Sequence, residues 1–539
     1  MIEISKTSAI QSVRTALGIE LGSTRIKAVL IDESQQPVAS GSFAWENQLT
    51  DGFWTYDLAD AERGVQESYR NLCEDVRSKY GVALTAVGAI GISGMMHGYL
   101  PFDAAGNQLA SFRTWRNTNT ERAAKQLSEA FDFNVPIRWS VSHLYQAMLD
   151  HEAHVPSIAH ITTLAGYIHW RLTGERVMGV GEASGMFPID SKTNDYDRRM
   201  LEVFDTMAKP YGHSWQLRDL LPKVLVAGQP AGTLTEAGAK LLDPSGALRG
   251  GIPVAPPEGD AGTGMIATDS VALRTGNVSA GTSIFAMVVL ERPLSRMYPE
   301  IDMVTTPAGR PVAMAHCNNC TSDWDAWAKV LKETASLFGA TPSTPELYDK
   351  LYEKSLEGAA DCAGILTYNY LSGEPVTGLS EGRPMVVRRP DAQFSLANFL
   401  RASLYSTLAS LRVGMEILFN EGARLDRLMG HGGLFKTEYV GQKYMADAMG
   451  IPVSVMATAG EGGPFGMAVL AGYLIWKQAD ESLDEYLASH VFAGADVKTI
   501  APDEDGMAGF QTFLKAYISG LAAEKAAVES ITTDIATHT

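Results

Sequence analysis

The residues best suited to chemistry in this chain fall into four small groups. Asp260 stands in Gly251-Ile-Pro-Val-Ala-Pro-Pro-Glu-Gly-Asp-Ala-Gly-Thr-Gly, just after a strand-like run at Ile252–Ala255. A carboxylate at a strand's end, facing a cleft, can take the proton from a hydroxyl as that hydroxyl attacks phosphorus. By position alone, Asp260 suits the cap of the following helix at least as well. The second group is a pair of turns, Gly22-Ser23-Thr24 and Gly281-Thr282-Ser283. Exposed N–H groups and hydroxyls in such turns can wrap phosphate oxygens. Glu20 precedes the first turn and, with Asp260, offers hard oxygen ligands to Mg²⁺, while Lys27 follows on the next strand-like run.

The third group is Gly91-Ile-Ser-Gly-Met-Met-His-Gly. His97 can hydrogen-bond sugar hydroxyls and Met96 can pack on a carbon skeleton, although a lone histidine is more often structural. Trp115 and Asn117 are candidates for the same pocket, since a Trp face packs well on sugar C–H surfaces, and a core Trp is equally compatible with the pattern. The fourth is Gly430-His-Gly-Gly-Leu-Phe-Lys-Thr, where Gly432 and Gly433 permit close passage of an adenine ring or a phosphate and Lys436 follows.

The elements that must position these groups alternate between strand and helix patterns, the mark of an α/β architecture. Strand-like runs fall at Val87–Ile92, Ile252–Ala255 and Arg427–Met429, and helical patterns at Leu58–Lys79, Thr120–Ala130, Thr162–Leu172, Leu396–Asn420 and Tyr439–Ala448. Superposing Gly22 on Gly281 puts Ser23 on Thr282 and Thr24 on Ser283, with apolar, β-prone residues on both sides of each turn. Each reads as a β-hairpin. A repeat this long indicates duplicated domains, because solenoid units are far shorter. The expected division is 16–265, 266–500 and a helical tail, 501–539.

Composition narrows the function class. The chain has 539 residues, 45% of them hydrophobic, and a formal net charge of −18. That length calls for more than one core, and that charge argues against a nucleic-acid partner. No apolar run reaches membrane-spanning length and the start lacks the pattern of a secretory signal, so the cytoplasm is the expected compartment. Of the four cysteines, Cys317 and Cys320 form one C-x-x-C, which without a second pair at finger-like spacing reads as reduced thiols in preference to a zinc site.

Taken in order along the chain, these motifs resemble the FGGY carbohydrate kinases, and within them the ketopentose members of xylulokinase and ribulokinase type. The resemblance runs from about Ala16 to Leu474 and includes Ala446-Asp-Ala-Met-Gly-Ile-Pro-Val and the Gly-Met-Ala-Val-Leu-Ala run from Gly466. It implies the actin-like ATPase fold: two domains with ribonuclease-H-like cores and ATP between them. It also implies Asp260 as catalytic base and Met96 and His97 as sugar contacts. Gly22, Ser23, Thr24 and Lys27 match the first phosphate hairpin; Gly281, Thr282 and Ser283 match the second; Gly432, Gly433 and Lys436 fall in the adenosine loop.

Three departures stand out. Glu20 replaces the family's usual Asp, Trp115-Arg116-Asn117-Thr118-Asn119 replaces W-N-D-x-R, and Gly466-Met467-Ala468 replaces G-A-A. The amide at Asn117 can donate where a carboxylate only accepts, which implies a shifted sugar preference. The expected activity is Mg-ATP-dependent phosphorylation of a ketopentose, D-xylulose before L-ribulose, with another ketose or polyol third. The expected partners are the sugar and ATP, with neither nucleic acid nor membrane, and the resemblance allows a homodimer. An actin- or chaperone-like switch and a silent sugar sensor are the rivals from other classes, and sugar-stimulated ADP release separates them from a kinase.

Overall fold

A computed structural model of the protein describes residues 5–456 and 462–531. The first sheet is built from β1 (Thr15–Leu21), β2 (Arg25–Asp32), β3 (Pro37–Ala44), β4 (Ala89–Gly94) and β5 (Glu258–Gly259), in spatial order β5-β4-β1-β2-β3. β2 runs antiparallel to β1 and β3, whereas β4 and β5 run parallel to β1. The second sheet contains β6 (Thr275–Ala280), β7 (Ile284–Val289), β8 (Ile301–Thr305), β9 (Pro311–Cys317), β10 (Arg427–Gly432), β11 (Val453–Met456) and β12 (Val497–Ile500). Its order is β8-β9-β7-β6-β10-β11-β12. The inner five strands, β9-β7-β6-β10-β11, repeat the order and directions of the first sheet. The duplication read from the two turns is therefore a duplication of whole sheets, each of ribonuclease-H type.

Helices cover both faces, so the central strands are buried on each side and read as nearly continuous apolar runs. α1 (Leu58–Tyr80) starts where Asp57 accepts the N–H groups of Ala59 and Asp60, and stops at left-handed Gly81. It buries Ala61, Val65, Leu72 and Val76 against the first sheet. α2 (Leu164–Thr173) is capped by Thr163 and ends at Gly174 with φ +82°. α3 (Asp260–Ala267) begins as β5 ends. α4 (Leu396–Asn420) and α5 (Val440–Met449) pack in the second core, as does α7 (Glu504–Ser530) through Phe510, Phe513 and Tyr517. The expected helical tail is thus part of the C-terminal core.

α6 (Gly462–Trp476) crosses the division. It follows β11 in sequence yet packs on the first sheet, where a Cβ on Gly18 would lie 2.2 Å from the Pro464 carbonyl oxygen. A Cβ on Gly466 would stand 2.0 Å from the Thr263 carbonyl, so the same small residues let α6 lie directly against α3. α6 is apolar all round because it is enclosed on all sides, with Pro464 to Tyr473 buried. The expected loop ahead of it, Gly460–Glu461, lies outside the described residues.

Two strand readings need correction. Ile252–Ala255 forms only isolated bridges, Ile90 with Val254 and Thr233 with Pro253, and the paired strand is Glu258–Gly259. Prolines at 253, 256 and 257 remove the amide donors a longer ladder requires. β10 runs three residues beyond Met429, so the glycine cluster begins inside the strand.

Candidate active site

The ends of the first sheet's strands set out a row of polar groups. Glu20 on β1 is in register with Lys27 on β2 and with Ser93 on β4, and Ser93 is in register with Glu258 on β5. Asp260 is the first residue of α3, immediately beyond that row. The cap of α3 is Gly259, and no side chain fills that role. The Asp260 carboxylate instead reaches across to the Met96 loop, where Oδ1 accepts the Met96 N–H at 3.1 Å.

Asp260 is open to the cleft yet hemmed in by protein. That confinement raises its pKa, against the pull of the N–H groups of Met96, Ala261 and its own residue. Glu20 is pushed up to about 8, first by burial and next by the Asp260 charge, against Lys27, Thr263 and Ser93. The Thr263 hydroxyl lies 3.5 Å from Glu20 Oε2. Gly463 on α6 closes the other side, where a Cβ would be 1.5 Å from the same oxygen. The longer acid at position 20 therefore fits because α6 begins with glycine.

Two crowded carboxylates and a hydroxyl form an all-oxygen set that a divalent cation would relieve of repulsion, and the residues fit Mg²⁺ held partly through water. Among the described residues, no three His, Cys, Asp or Glu side chains converge to form a complete metal cage.

The first turn is built to turn its amides outward. The carbonyls of Leu21, Gly22, Ser23 and Thr24 are held by the Met95 N–H (2.9 Å), Trp45 Nε1–H (2.7 Å), Tyr56 O–H (2.6 Å) and Trp45 N–H (3.2 Å). Among the described residues, the Ser23 and Thr24 amides have no partner. The second turn is tied back in the same sense: Thr321 donates its N–H (3.1 Å) and Oγ1–H (2.9 Å) to Gly281 O, and the Cys320 N–H donates to Thr282 O (3.0 Å).

The turns differ by one residue. Gly22 N–H bonds Arg25 O, whereas Gly281 N–H bonds Ser283 O, so Ser283 takes the pairing place of Arg25, and the expected match of Thr24 to Ser283 ends at the turn. Cys317 closes β9 opposite Ile284, and Cys320 lies behind the second turn; both are buried, free thiols.

Gly432 pairs with Ala280 at the ends of parallel strands, which brings the glycine cluster beside the second turn. Its φ of +104° and a virtual Cβ only 2.4 Å from Ala280 O make glycine obligatory there. Gly433 opens a short 3₁₀ turn that Lys436 caps, and both are exposed.

Two expected sugar contacts have other partners. His97 is buried with φ +74°; its Nδ1 lies 3.2 Å from Gly185 O, and Arg138 Nε donates to its Nε2 at 3.2 Å. Both nitrogens are engaged, and burial followed by the Arg138 charge pushes its pKa down to about 3. Hydrogen bonds from His97 to a sugar would require one of these protein contacts to yield. Asn117 is also buried. Its Oδ1 accepts the Trp54 N–H at 2.9 Å, and its Nδ2 donates to Trp54 O (2.9 Å) and Thr114 O (3.0 Å). The expected shift in sugar preference at Asn117 gives way to a structural role. Trp115 is exposed, with Arg116 beside it stacked 4.1 Å over the Trp54 ring.

Sequence reasoning missed Glu258, Glu182 and Arg138. Glu258 is fully enclosed and pushed up to about 8 by burial, and its Oε2 accepts the Glu182 N–H at 2.9 Å. Glu182 is raised well above the usual carboxylate range by burial, with partial relief from the Thr163 hydroxyl. The Pro-Pro-Glu-Gly-Asp run made Glu258 visible, but nothing in it signalled burial.

The sequence pattern of the FGGY family of carbohydrate kinases, N-terminal domain, matches residues 15–267, and that of its C-terminal domain matches 276–475. The chain belongs to the FGGY family of carbohydrate kinases. It is similar to the xylulose kinase of Haemophilus influenzae, 21% identical over 532 residues that span 94% of this chain and 99% of the relative. Among solved structures it superposes on the ligand-bound xylulose kinase of Lactobacillus acidophilus with TM-score 0.78 at 17% identity, covering 96% of this chain and 100% of that one. The gluconate kinase of the same organism gives 0.77 at 17% identity, with coverage of 96% and 99%. The fold is thus the two-domain, actin-like ATPase architecture, and at these identities the structural likeness does not choose among sugars. The protein is a carbohydrate kinase of xylulokinase-like type. Among its described residues, no helix is long and apolar enough to cross a membrane.

Proposed function

We propose that this kinase transfers the γ-phosphoryl group of ATP to a primary hydroxyl of a ketopentose, with D-xylulose preferred. The observation that carries the reading is the Asp260 carboxylate, open to the cleft, held by the Met96 N–H and adjoining Glu20 and the first glycine turn. In the reaction the hydroxyl oxygen forms the new bond to Pγ, and the bond from Pγ to the β,γ-bridging oxygen breaks as ADP leaves. The hydroxyl proton passes to Asp260 and then to solvent. The raised pKa of Asp260 makes it a better proton acceptor than an exposed aspartate while leaving it a carboxylic acid that can ionise.

The outward amides of the two turns hold polyphosphate oxygens, and Lys27 adds a positive charge beside Glu20. Mg²⁺, held by Glu20 and Asp260, supplies charge neutralisation at the phosphates when bound. The choice of D-xylulose draws on the xylulose kinase relatives and on the Met96–His97 loop beside the base.

A panel of ketoses and polyols with ATP and Mg²⁺, scored by ADP release, tests the reading. D-xylulose is expected to give the highest kcat/KM; ATP binding without sugar-stimulated ADP release would instead support a switch or sensor. Asp260→Asn is expected to lower kcat by about 10²–10⁴-fold, with nucleotide affinity retained. Loss of nucleotide binding together with turnover would make Asp260 a structural residue.

A further inference from the structure

His97 is held from two directions, and both lead to the same strand of the other domain. On one side Arg138 bridges: its Nε donates to His97 Nε2 at 3.2 Å, and its Nη2 contacts Asp302 Oδ2. Asp302 lies on β8, at the edge of the second sheet. Asn134 steadies it by donating Nδ2–H to Asp302 Oδ1 and to Ile301 O, each at 3.0 Å. On the other side His97 Nδ1 meets Gly185 O at 3.2 Å. The neighbouring Ser184 Oγ accepts the Thr305 N–H at 3.0 Å, and Thr305 Oγ1 donates to Val180 O at 3.0 Å. The ring closes through β8 itself, from Thr305 back to Asp302.

An apolar layer lies beside this ring, where Val304 of β8 and Val312 of β9 share one buried cluster with Met186 and Phe187. A cavity of about 190 Å³, lined in part by Phe133, Asn134, Ser184, Ile301 and Thr305, lies between the domains there. Arg138 also supplies the backbone carbonyl that accepts the Gly98 N–H at 3.4 Å, so it meets the Met96–Gly98 loop through both main chain and side chain.

We propose that Arg138 is a positioning residue through which the seating of β8 sets the conformation of the sugar-pocket loop, so that nucleotide bound to the second domain orders His97 before sugar arrives. The proposal rests on the kinase reading for the identity of the pocket. Asp302, whose Oδ1 accepts from Asn134, holds one end of the guanidinium, and the planar fork of arginine lets the other end address the imidazole simultaneously. Lysine cannot make both contacts, and asparagine at 302 presents an N–H to a donor. Coupling of this kind is reciprocal, so sugar binding would also favour the nucleotide-seated arrangement.

Hydrogen–deuterium exchange on the full-length protein tests this without any sugar. Addition of the magnesium complex of adenylyl imidodiphosphate is expected to slow exchange at the Met96 and Gly98 amides of the wild type by at least about fivefold. In Arg138→Lys and, independently, in Asp302→Asn, the slowing is expected to fall below about twofold, with Asp302→Glu recovering part of it and amides of α1 unchanged. Wild-type slowing in either variant, with the fold intact by circular dichroism, would overturn the proposal, as would a wild type whose loop ignores the nucleotide. Failure of the kinase reading shows separately, as absence of sugar-stimulated ADP release across the panel.

Discussion

Asn117 shows how a single amide can be fitted to its surroundings. It receives one backbone N–H and donates to two backbone carbonyls, a pattern that a carboxylate cannot reproduce. Asn117→Asp would set a negative charge against the Trp54 and Thr114 carbonyls in a buried position. The expected cost is about 1–3 kcal/mol, read from the denaturant midpoint at unchanged slope.

Glu20 makes a different prediction, in pH. Its pKa of about 8 means that near neutrality it carries a proton which a cation must displace. Apparent Mg²⁺ affinity is therefore expected to rise with pH up to about 8, with proton release on binding detectable by calorimetry in buffers of different ionisation enthalpy. The residue types were legible here: an acid before a glycine turn, an aspartate at a strand end, and a glycine-flanked Met-His. Hydrogen-bond partners were not, because Trp54 lies 63 positions from Asn117 and Gly185 lies 88 from His97.

Among the elements, long periodic helices were read closely. α4 carries the bounds expected of it, and α1 differs by one residue, because apolar spacing, an N-cap and a stop residue are all local signals. Short strands were harder: β5 has only two residues, and its pairing depends on β4, far away in sequence. The docking of α6 on the first sheet left no periodic trace, since an enclosed helix shows no polar face. Its small residues did mark a close approach, and Gly466 is the sharpest case. Gly466→Ala would drive a methyl group to 2.0 Å from Thr263 O and force α3, which bears Asp260, away from α6. The expected loss is about 1–3 kcal/mol of stability with a fall in kcat, checked by thermal unfolding alongside steady-state kinetics.

Across the molecule, several enclosed acids act together on stability. Glu20 and Glu258 rise from 4.5 to about 8 on folding, and Glu182 shifts in the same direction. Between pH 4.5 and about 8 the folded chain therefore holds protons that the unfolded chain has released. Their contribution is complete below pH 4.5 and is lost as pH climbs through about 8. The melting temperature is expected to decline across the upper part of that window, and Glu258→Gln to flatten the decline. Mg²⁺ should reduce the Glu20 share, because a bound cation stabilises the ionised form.

The path of α6 also governs how the polypeptide can be divided. Although it is encoded after β11, α6 covers strands laid down near the chain's beginning, so neither portion contains all the side chains that enclose its own sheet. A break between residues 267 and 275 would strip the leading fragment of its covering helix and leave that helix stranded on the trailing one. The two pieces would have to be co-expressed to complement each other, and neither would be a self-sufficient minimal unit.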